Sequence, residues 1–189
     1  MSLIESKDSL EEIKTKILHA LNRAGNDPKS GFRYIILSTV SGGFPNSRFV
    51  VLRKFVTKNQ DLMIYTDIRS NKISEIKLNP FVSVLAYDKQ KKCQIKLKGE
   101  IDIHHKDQLA HQHWEVLTAG HDSYNTEVKP GAKVDSLEEA HKMKSELDDE
   151  NFVVLVLKVS QAEILQLNGQ GHIRALFDFE KDEASYLVP

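Results

Sequence analysis

Near the start of the chain, apolar residues recur every three or four positions, and this spacing predicts a helix. Leu10, Ile13 and Ile17 are three or four residues apart, as on one side of an amphipathic helix. Ser9 precedes this run and Glu12 follows Ser9 by three residues, which is the pattern of a capping box. The sequence therefore predicts an N-terminal helix with one buried side.

Short runs rich in β-branched and aromatic residues follow, separated by turn signals, and they predict antiparallel strands. The expected strands are residues 32–40, 47–56, 62–66, 81–87, 91–104, 152–157, 162–167 and 172–179. Gly99 interrupts the alternation of the fifth strand, which predicts a bulge or bend at that position.

Three further helices are expected beside the strands. A short one starts after Ser70 and ends before Pro80, and longer ones are predicted over residues 106–118 and 136–150. No repeat, linker or change of composition divides the chain. The elements together predict a single α+β domain over residues 1–189, built on a small, mostly antiparallel barrel with peripheral helices.

Composition and charge exclude several classes of protein. A hydrophobic content of 40% argues against a disordered or collagen-like chain. The 26 Lys and Arg residues nearly balance 27 Asp and Glu residues, so the net charge of −1 favours no polyanionic partner. No apolar run approaches the roughly 20 residues of a membrane span, and the first residues lack a signal-peptide core. A soluble, cytoplasmic protein without a membrane partner is expected.

Cysteine and histidine give little sign of metal or thiol chemistry. The single cysteine, Cys93, allows no internal disulfide and no cysteine-rich metal site. Neighbouring lysines could lower the pKa of Cys93, although an inert, half-buried thiol is the favoured interpretation. His111 and Glu115 are four residues apart and supply only two ligands, so no metal is expected. No catalytic residue is assigned.

The first candidate cluster consists of two arginines that bracket an apolar segment. Arg48 and Arg53 are five residues apart, so they face opposite sides of a straight strand. A single ligand can contact both arginines only if the strand has a bulge or ends between them, or if the ligand lies along the strand edge. On spacing alone, two exposed arginines at strand ends are the favoured alternative. The residues between them are Phe49, Val50, Val51 and Leu52.

The second cluster lies where a predicted strand ends and a helix begins. Tyr65 and Thr66 close the strand, and Ser70, Asn71 and Lys72 open the helix. The unpaired N–H groups and partial positive charge of a helix N-terminus bind phosphate readily, and a lysine adds a full charge. The alternative, that Ser70 is only an N-cap, is equally supported by this segment alone.

The third candidate is Gln94, on the fifth predicted strand. Its carboxamide both donates and accepts hydrogen bonds, which suits a heterocycle with carbonyls and ring nitrogens. Five lysines surround it between residues 89 and 98, and a charged strand edge that prevents aggregation explains them most simply. A nucleic-acid surface would interleave aromatic residues with the charge, and only Tyr87 is nearby. A polyanion-binding small-barrel module is therefore a low-ranked alternative, and no nucleic-acid partner is expected.

The order of these clusters resembles pyridoxamine 5′-phosphate oxidase and its relatives, the FMN-binding split-barrel proteins. The matching segments are residues 45–53 (PNSRFVVLR), 65–66 (YT), 70–72 (SNK), 79–80 (NP) and 94–99 (QIKLKG). The likeness covers residues 32–104 and returns weakly at 172–189, and the later segments suggest a divergent member. It implies a split β-barrel of six to eight strands with peripheral helices. It also implies FMN as cofactor and a homodimer with FMN at its interface.

The resemblance further implies roles for individual residues. Arg48 would hold the cofactor, Lys72 would bind its phosphate and Gln94 would meet the isoalloxazine ring. On the substrate side, Arg53 would touch both flavin and substrate, and His172 would contact a substrate phosphate. The full set of implied cofactor contacts is Arg48, Phe49, Val50, Val51, Leu52, Arg53, Tyr65, Thr66, Ser70, Asn71, Lys72, Gln94 and Arg174.

Several positions depart from the family pattern. Asn71 replaces a phosphate-binding arginine, Leu165 replaces an aromatic residue at the flavin, and Gln170 replaces an arginine of the substrate site. The segment 112–122 also lacks the pattern for a substrate phosphate. The leading hypothesis is an FMN-dependent oxidoreductase acting on a small molecule, for which a phosphorylated vitamin B6 vitamer is one candidate. The alternative is a flavin-binding reductase, redox partner or sensor without vitamin B6 oxidase activity.

Overall fold

The computed structural model describes residues 2–169 and 171–189. Gln170, one of the predicted departures, therefore lies outside the described residues. The described residues form nine strands. These are β1 (Tyr34–Ser41), β2 (Phe44–Val51), β3 (Lys54–Val56), β4 (Asp61–Asp67), β5 (Phe81–Asp88), β6 (Cys93–His104), β7 (Phe152–Gln166), β8 (Ile173–Asp178) and β9 (Glu183–Leu187).

The strands form one antiparallel sheet in the order β2-β1-β5-β6-β7-β4-β3. The first half of β7 pairs with β4 and its second half pairs with β8, which in turn pairs with β9. The strands at the two ends of this order, β2 and β3, follow each other in sequence, and β2 also contacts β4. The sheet therefore curls back on itself as a split barrel, and the predicted α+β fold class is confirmed.

Four α-helices flank the sheet in the described part of the chain. They are α1 (Leu10–Asn26), α2 (Asn71–Leu78), α3 (Gln108–Glu115) and α4 (Leu137–Ala140). The capping box of α1 is present, because Ser9 Oγ accepts from the N–H of Glu12 and the Glu12 carboxylate accepts from that of Ser9. None of the described helices combines the length and apolar character needed to cross a membrane.

Two apolar clusters lie on the two sides of β4 and β7. The larger fills the barrel, where alternate residues of the strands meet the buried side of α1, including Ile13, Ile17 and Leu21. The smaller contains Met63, Tyr124, Phe152, Val154 and Val156, with Trp114 packed against it. Residues 106–150 supply the outer half of this smaller cluster, so this segment covers the barrel wall beside the candidate site.

The bulge predicted at Gly99 is present. The register between β6 and β7 shifts between Lys98 and Gly99, where the β7 backbone approaches closely. A Cβ atom at Gly99 would lie 1.9 Å from the carbonyl oxygen of Lys158. Only glycine fits this contact.

Four element predictions differ from the structure. The helix expected over residues 136–150 is limited to α4, a single exposed turn without buried residues. The strands expected over 152–157 and 162–167 are one continuous strand, β7. The strand expected over 47–56 is split into β2 and β3, and the exposed edge strand β9 was not predicted.

Candidate functional site

Two adjoining cavities lie between β2, β4 and the start of α2, and we call them together the β2–α2 pocket. The first, the Arg53 cavity, has a volume of about 310 Å³. The second, the Asn71 cavity, has a volume of about 420 Å³. They share Arg48, Ser70, Lys72 and Pro130 in their walls. The predicted cofactor contacts that line the Arg53 cavity are Arg48, Phe49, Val50, Val51, Arg53, Tyr65, Thr66, Ser70 and Lys72.

A change of strand partner brings the two arginines to one cavity. After β2 ends at Val51, the N–H of Leu52 donates to Arg33 O at 2.9 Å and that of Arg53 donates to Met63 O at 2.9 Å. The chain thereby leaves β1 and joins β4. Arg48 and Arg53 thus meet one cavity across a strand end, one of the three arrangements that their odd spacing allows. Leu52 itself lies in the barrel core and does not line the pocket.

Arg48 is fixed by a buried polar network. Its Nη2 donates to Glu75 Oε2 at 2.8 Å, and its Nη1 donates to Thr39 Oγ1 at 2.5 Å. Asn46 also donates to the Glu75 carboxylate, at 3.0 Å. Burial alone would raise the pKa of Glu75, but hydrogen bonds from Thr39 and Arg48 outweigh it and lower that pKa. Glu75 is therefore ionised, and it orients the Arg48 guanidinium at the pocket wall.

Lys72 lacks a negatively charged partner. Its Nζ donates to Thr66 Oγ1 at 2.9 Å, and it forms no salt bridge with any described carboxylate. Burial, and then the charge of Arg48, lower the pKa of Lys72. Ser70 occupies the N-cap position of α2, but its hydroxyl donates to Asp67 O at 2.7 Å instead of capping the helix. An ammonium group and helix N–H groups without a side-chain cap therefore lie side by side, which is the donor set of a phosphate site.

Asn71 lies at the second cavity beside a loop from the segment 106–150. Its Nδ2 is 3.9 Å from the place where a Cβ of Gly131 would be. The family resemblance implies an arginine at position 71, and Arg69, two residues earlier, does not supply its positive charge to the cavity. Its guanidinium is held by Asp67 at 2.7 Å and donates to Thr126 O at 2.9 Å. Arg69 thus attaches this loop to the β4–α2 connection and lines neither cavity.

The Arg53 end of the pocket combines a cation with aromatic rings. The Arg53 guanidinium lies 5.3 Å from the ring centroid of Tyr65, and Tyr124 lines the same wall. The Tyr65 hydroxyl is 2.6 Å from His113 Nδ1. Sequence reasoning did not place His113 or Tyr124 in the site, because the helix predicted over residues 106–118 gave no sign of which side chains reach the pocket. This end of the pocket suits a flat ring that carries hydrogen-bonding groups.

Three predicted site residues lie apart from the pocket. They are Gln94, His172 and Arg174, and we call them the β6–β8 group. Gln94 pairs with Leu165 on β7, and Leu165 pairs in turn with Arg174 on β8. Glu163 holds Arg174 through Nη2 at 2.7 Å and Nε at 3.0 Å. His172 Nδ1 accepts from the N–H of Asn168 at 3.1 Å. A single chain therefore brings together only part of the predicted site.

The β6–β8 group lies on a sheet face with exposed aromatic residues. On this outward face, Phe49 of β2 is 74% exposed and Tyr34 of β1 is 63% exposed. Two of the five lysines around Gln94 form salt bridges. Lys96 pairs with Glu163 on this face, and Lys91 pairs with Asp88 at the turn before β6. The face thus combines apolar area with polar and charged groups.

Cys93 and His111, the residues considered for thiol and metal chemistry, line neither cavity of the pocket. Burial raises the pKa of the Cys93 thiol to about 12, so the nearby lysines do not activate it. His111 is exposed and contacts Asp149 at 2.6 Å. Within the described ranges, no group of three or more His, Cys, Asp or Glu side chains is arranged to hold a metal ion.

Comparison with known proteins places these features in a family. The model described as pyridoxamine 5′-phosphate oxidase, FMN-binding domain, matches residues 12–105. Pyridoxine/pyridoxamine 5′-phosphate oxidase 2 of Arabidopsis thaliana is 34% identical over 79 residues, which are 41% of this chain and 40% of that protein. The Legionella pneumophila (strain Lens) enzyme is 30% identical over 95 residues, 50% of this chain and 41% of its own length. The match thus spans about two fifths of these curated relatives.

Solved structures share the fold over nearly the whole chain. A pyridoxamine 5′-phosphate oxidase-related, FMN-binding protein from Nostoc punctiforme has a TM-score of 0.77 at 24% identity, covering 96% of this chain and 100% of that one. PhzG from Burkholderia lata, solved with tetrahydrophenazine-1-carboxylic acid, has a TM-score of 0.73 at 15% identity, covering 97% and 95%. These structures show the fold. Because the family model matches residues 12–105, about half of the chain, the chain belongs to the pyridoxamine 5′-phosphate oxidase-like, FMN-binding domain family.

Proposed function

We propose that this protein binds FMN in the β2–α2 pocket and acts as an FMN-dependent oxidoreductase on a small-molecule substrate. The observation that carries this proposal is the phosphate-type donor set at Lys72 and the start of α2. Arg48 adds a second cation that Glu75 already orients. Lys72 is half-buried and forms no salt bridge with a described carboxylate, so an anion bound beside it stabilises its charge.

The other end of the pocket fits the flavin ring. When bound, FMN supplies hydride acceptance and electron transfer to oxygen. Arg53 places a fixed positive charge beside the ring, and Tyr65 and Tyr124 provide aromatic contact surfaces. The neighbouring segment 106–150 excludes water from the wall formed by β4 and β7.

A second copy of the chain supplies the β6–β8 group in this proposal. Gln94, His172 and Arg174 lie outside the pocket of their own chain, on a face that exposes Phe49 and Tyr34. In a two-fold dimer the same face meets itself, so each copy contributes these residues to the pocket of the other. Pairing of this face would also remove its exposed aromatic area from water.

Mixed dimers test this sharing of the site. Lys72→Gln disables one half of the site, and Gln94→Leu with Arg174→Gln disables the other. Each homodimer is expected to bind FMN poorly. Co-expression of the two chains at equal levels restores about a quarter of the sites, because a mixed dimer contains one site without any substitution. Recovery of none of the sites, measured by FMN titration, would show that one chain builds the whole site.

A phosphorylated vitamin B6 vitamer is the first substrate to assay. Purified protein fully loaded with FMN is given pyridoxamine or pyridoxine 5′-phosphate, and pyridoxal 5′-phosphate and oxygen consumption are measured. Leu165, where the family has an aromatic residue, lies between Gln94 and Arg174 on the β6–β8 face. This difference and Asn71 favour the second candidate, a flavin-binding reductase, redox partner or sensor. Full FMN occupancy without turnover would support that candidate.

Asn71→Arg is expected to tighten FMN binding about tenfold. The new guanidinium lines the Asn71 cavity beside Lys72 and adds one charge-assisted contact to the phosphate. Ser74→Arg is the matched control, because it adds the same charge on an exposed position of α2 outside both cavities. Fluorescence titration compares the two variants. Equal gains in both would indicate general attraction of an anion instead of a contact in the cavity.

A further inference from the structure

Tyr65 and His113 form a hydrogen-bonded pair at the wall of the Arg53 cavity. Tyr65 Oη lies 2.6 Å from His113 Nδ1, and the two rings meet edge to face with centroids 5.5 Å apart. His113 is 9% exposed, whereas Tyr65 lines the cavity. The pair thus connects α3, outside the barrel, to a side chain that faces the proposed ligand.

The direction of this hydrogen bond follows from the chemistry of the two groups. Burial of His113, and then the charge of Lys54, lower its pKa, so the imidazole is neutral at pH 7. A phenol O–H is a better donor than a neutral imidazole N–H, and an unprotonated imidazole nitrogen is a good acceptor. The Tyr65 O–H therefore donates to His113 Nδ1. The remaining lone pair of the Tyr65 oxygen is left for the cavity.

We propose that His113 is a positioning residue that holds Tyr65 as a hydrogen-bond acceptor toward the pocket. The site then selects a ligand that donates an N–H or O–H group at this position. The inference rests on the proposed function for the identity of the ligand. Oxidised flavin carries such donors in the imide N–H of its ring and in the hydroxyls of its ribityl chain.

Protonation of His113 reverses this arrangement. Imidazolium has no free acceptor nitrogen, so its Nδ1–H donates to Tyr65 and the Tyr65 proton turns toward the cavity. A ligand donor then loses its acceptor. The charged and titratable groups that face the pair are Arg33, Arg53, Lys54, His104 and Tyr124. His104 is the second imidazole among them, so it is the neighbour that a control must address.

The first test measures FMN affinity from acidic to neutral pH by fluorescence titration. Wild type is expected to bind about two- to tenfold more weakly once His113 is protonated. His113→Phe and Tyr65→Phe keep an aromatic ring and should lose this step, whereas His104→Gln should retain it. The second ionisation of the FMN phosphate, near pH 6, affects all variants alike. A step that persists in His113→Phe, or disappears in His104→Gln, would overturn the proposal.

The second test does not depend on FMN. Nitrogen chemical shifts of histidine-labelled protein, with His113→Phe identifying the signal, give the tautomer of His113 at pH 7. The Nε2–H tautomer is expected, because Nδ1 accepts from Tyr65, and an Nδ1–H tautomer would refute the assignment. If FMN fails to bind while the Nε2–H tautomer is found, the proposed function is wrong and the positioning of Tyr65 stands.

Discussion

Lys72→Gln is expected to weaken FMN binding about ten- to hundredfold. The substitution removes the ammonium group at the start of α2, which donates to the Thr66 hydroxyl at 2.9 Å. A charge-assisted hydrogen bond contributes roughly 1.5–3 kcal/mol, and about 1.4 kcal/mol corresponds to a tenfold change in affinity. FMN fluorescence titration measures the loss. Lys77→Gln, on an exposed position of the same helix, serves as control. Equal affinity of wild type and Lys72→Gln would place the phosphate elsewhere.

The same lysine gives the affinity a pH dependence with a definite sign. Burial and Arg48 lower the pKa of Lys72 below its ordinary value of 10.5 in the free protein. A bound phosphate favours the charged form, so binding raises this pKa. The FMN affinity therefore has its full value at pH values below the pKa of Lys72 in the free protein. It declines as the pH rises from that pKa to the higher pKa of Lys72 in the complex. Lys72→Arg should abolish this alkaline decline, because a guanidinium stays charged throughout.

Gly99→Ala is expected to destabilise the fold by about 3 kcal/mol or more. The added Cβ would lie 1.9 Å from Lys158 O and 3.1 Å from Leu157 Cδ1, so the β6–β7 bulge would have to open. Urea unfolding measures the change as a lower midpoint. Gly169→Ala provides a matched control, because nothing lies within 4 Å of its added Cβ. An unchanged midpoint for Gly99→Ala would mean that the two strands are less closely apposed than described.

Local patterns predicted most of the barrel because each strand buries one face. The alternation of apolar residues located β1, β4, β5 and β6 to within a few residues. Gly99 was identifiable because glycine breaks the alternation of a strand where another backbone approaches.

Elements that depend on long-range partners were predicted less well. The segment 136–150 has a capping residue, Ser136, but the helix ends at Ala140 because no apolar side is buried. Residues 158–161, three of which are polar, interrupted the apolar pattern and looked like a gap between strands. They lie where β7 exchanges its partner β4 for β8 opposite the β6 bulge, an arrangement that no local pattern reveals.

The residues of the candidate site were also predicted only in part. Arg48, Arg53 and Lys72 were candidates because charges at a strand end and at a helix start have a local meaning. Their roles were implied only by the family resemblance, since spacing alone favoured two exposed arginines. That Arg48 and Arg53 share a cavity required the change of partner after Val51. His113 lies 48 residues from Tyr65 and reaches it only because α3 packs against β7 beside β4. A single histidine on a helix gives no sequence signal of such a contact.

Binding of FMN is tested by the visible absorption spectrum of freshly purified protein, followed by acid release of any bound cofactor and measurement of its mass. A yellow protein that releases FMN, at up to one molecule per β2–α2 pocket, is expected. A colourless protein that takes up no added FMN would contradict the proposed binding of FMN. The unpaired charge of Lys72 and the start of α2 would then serve another anion.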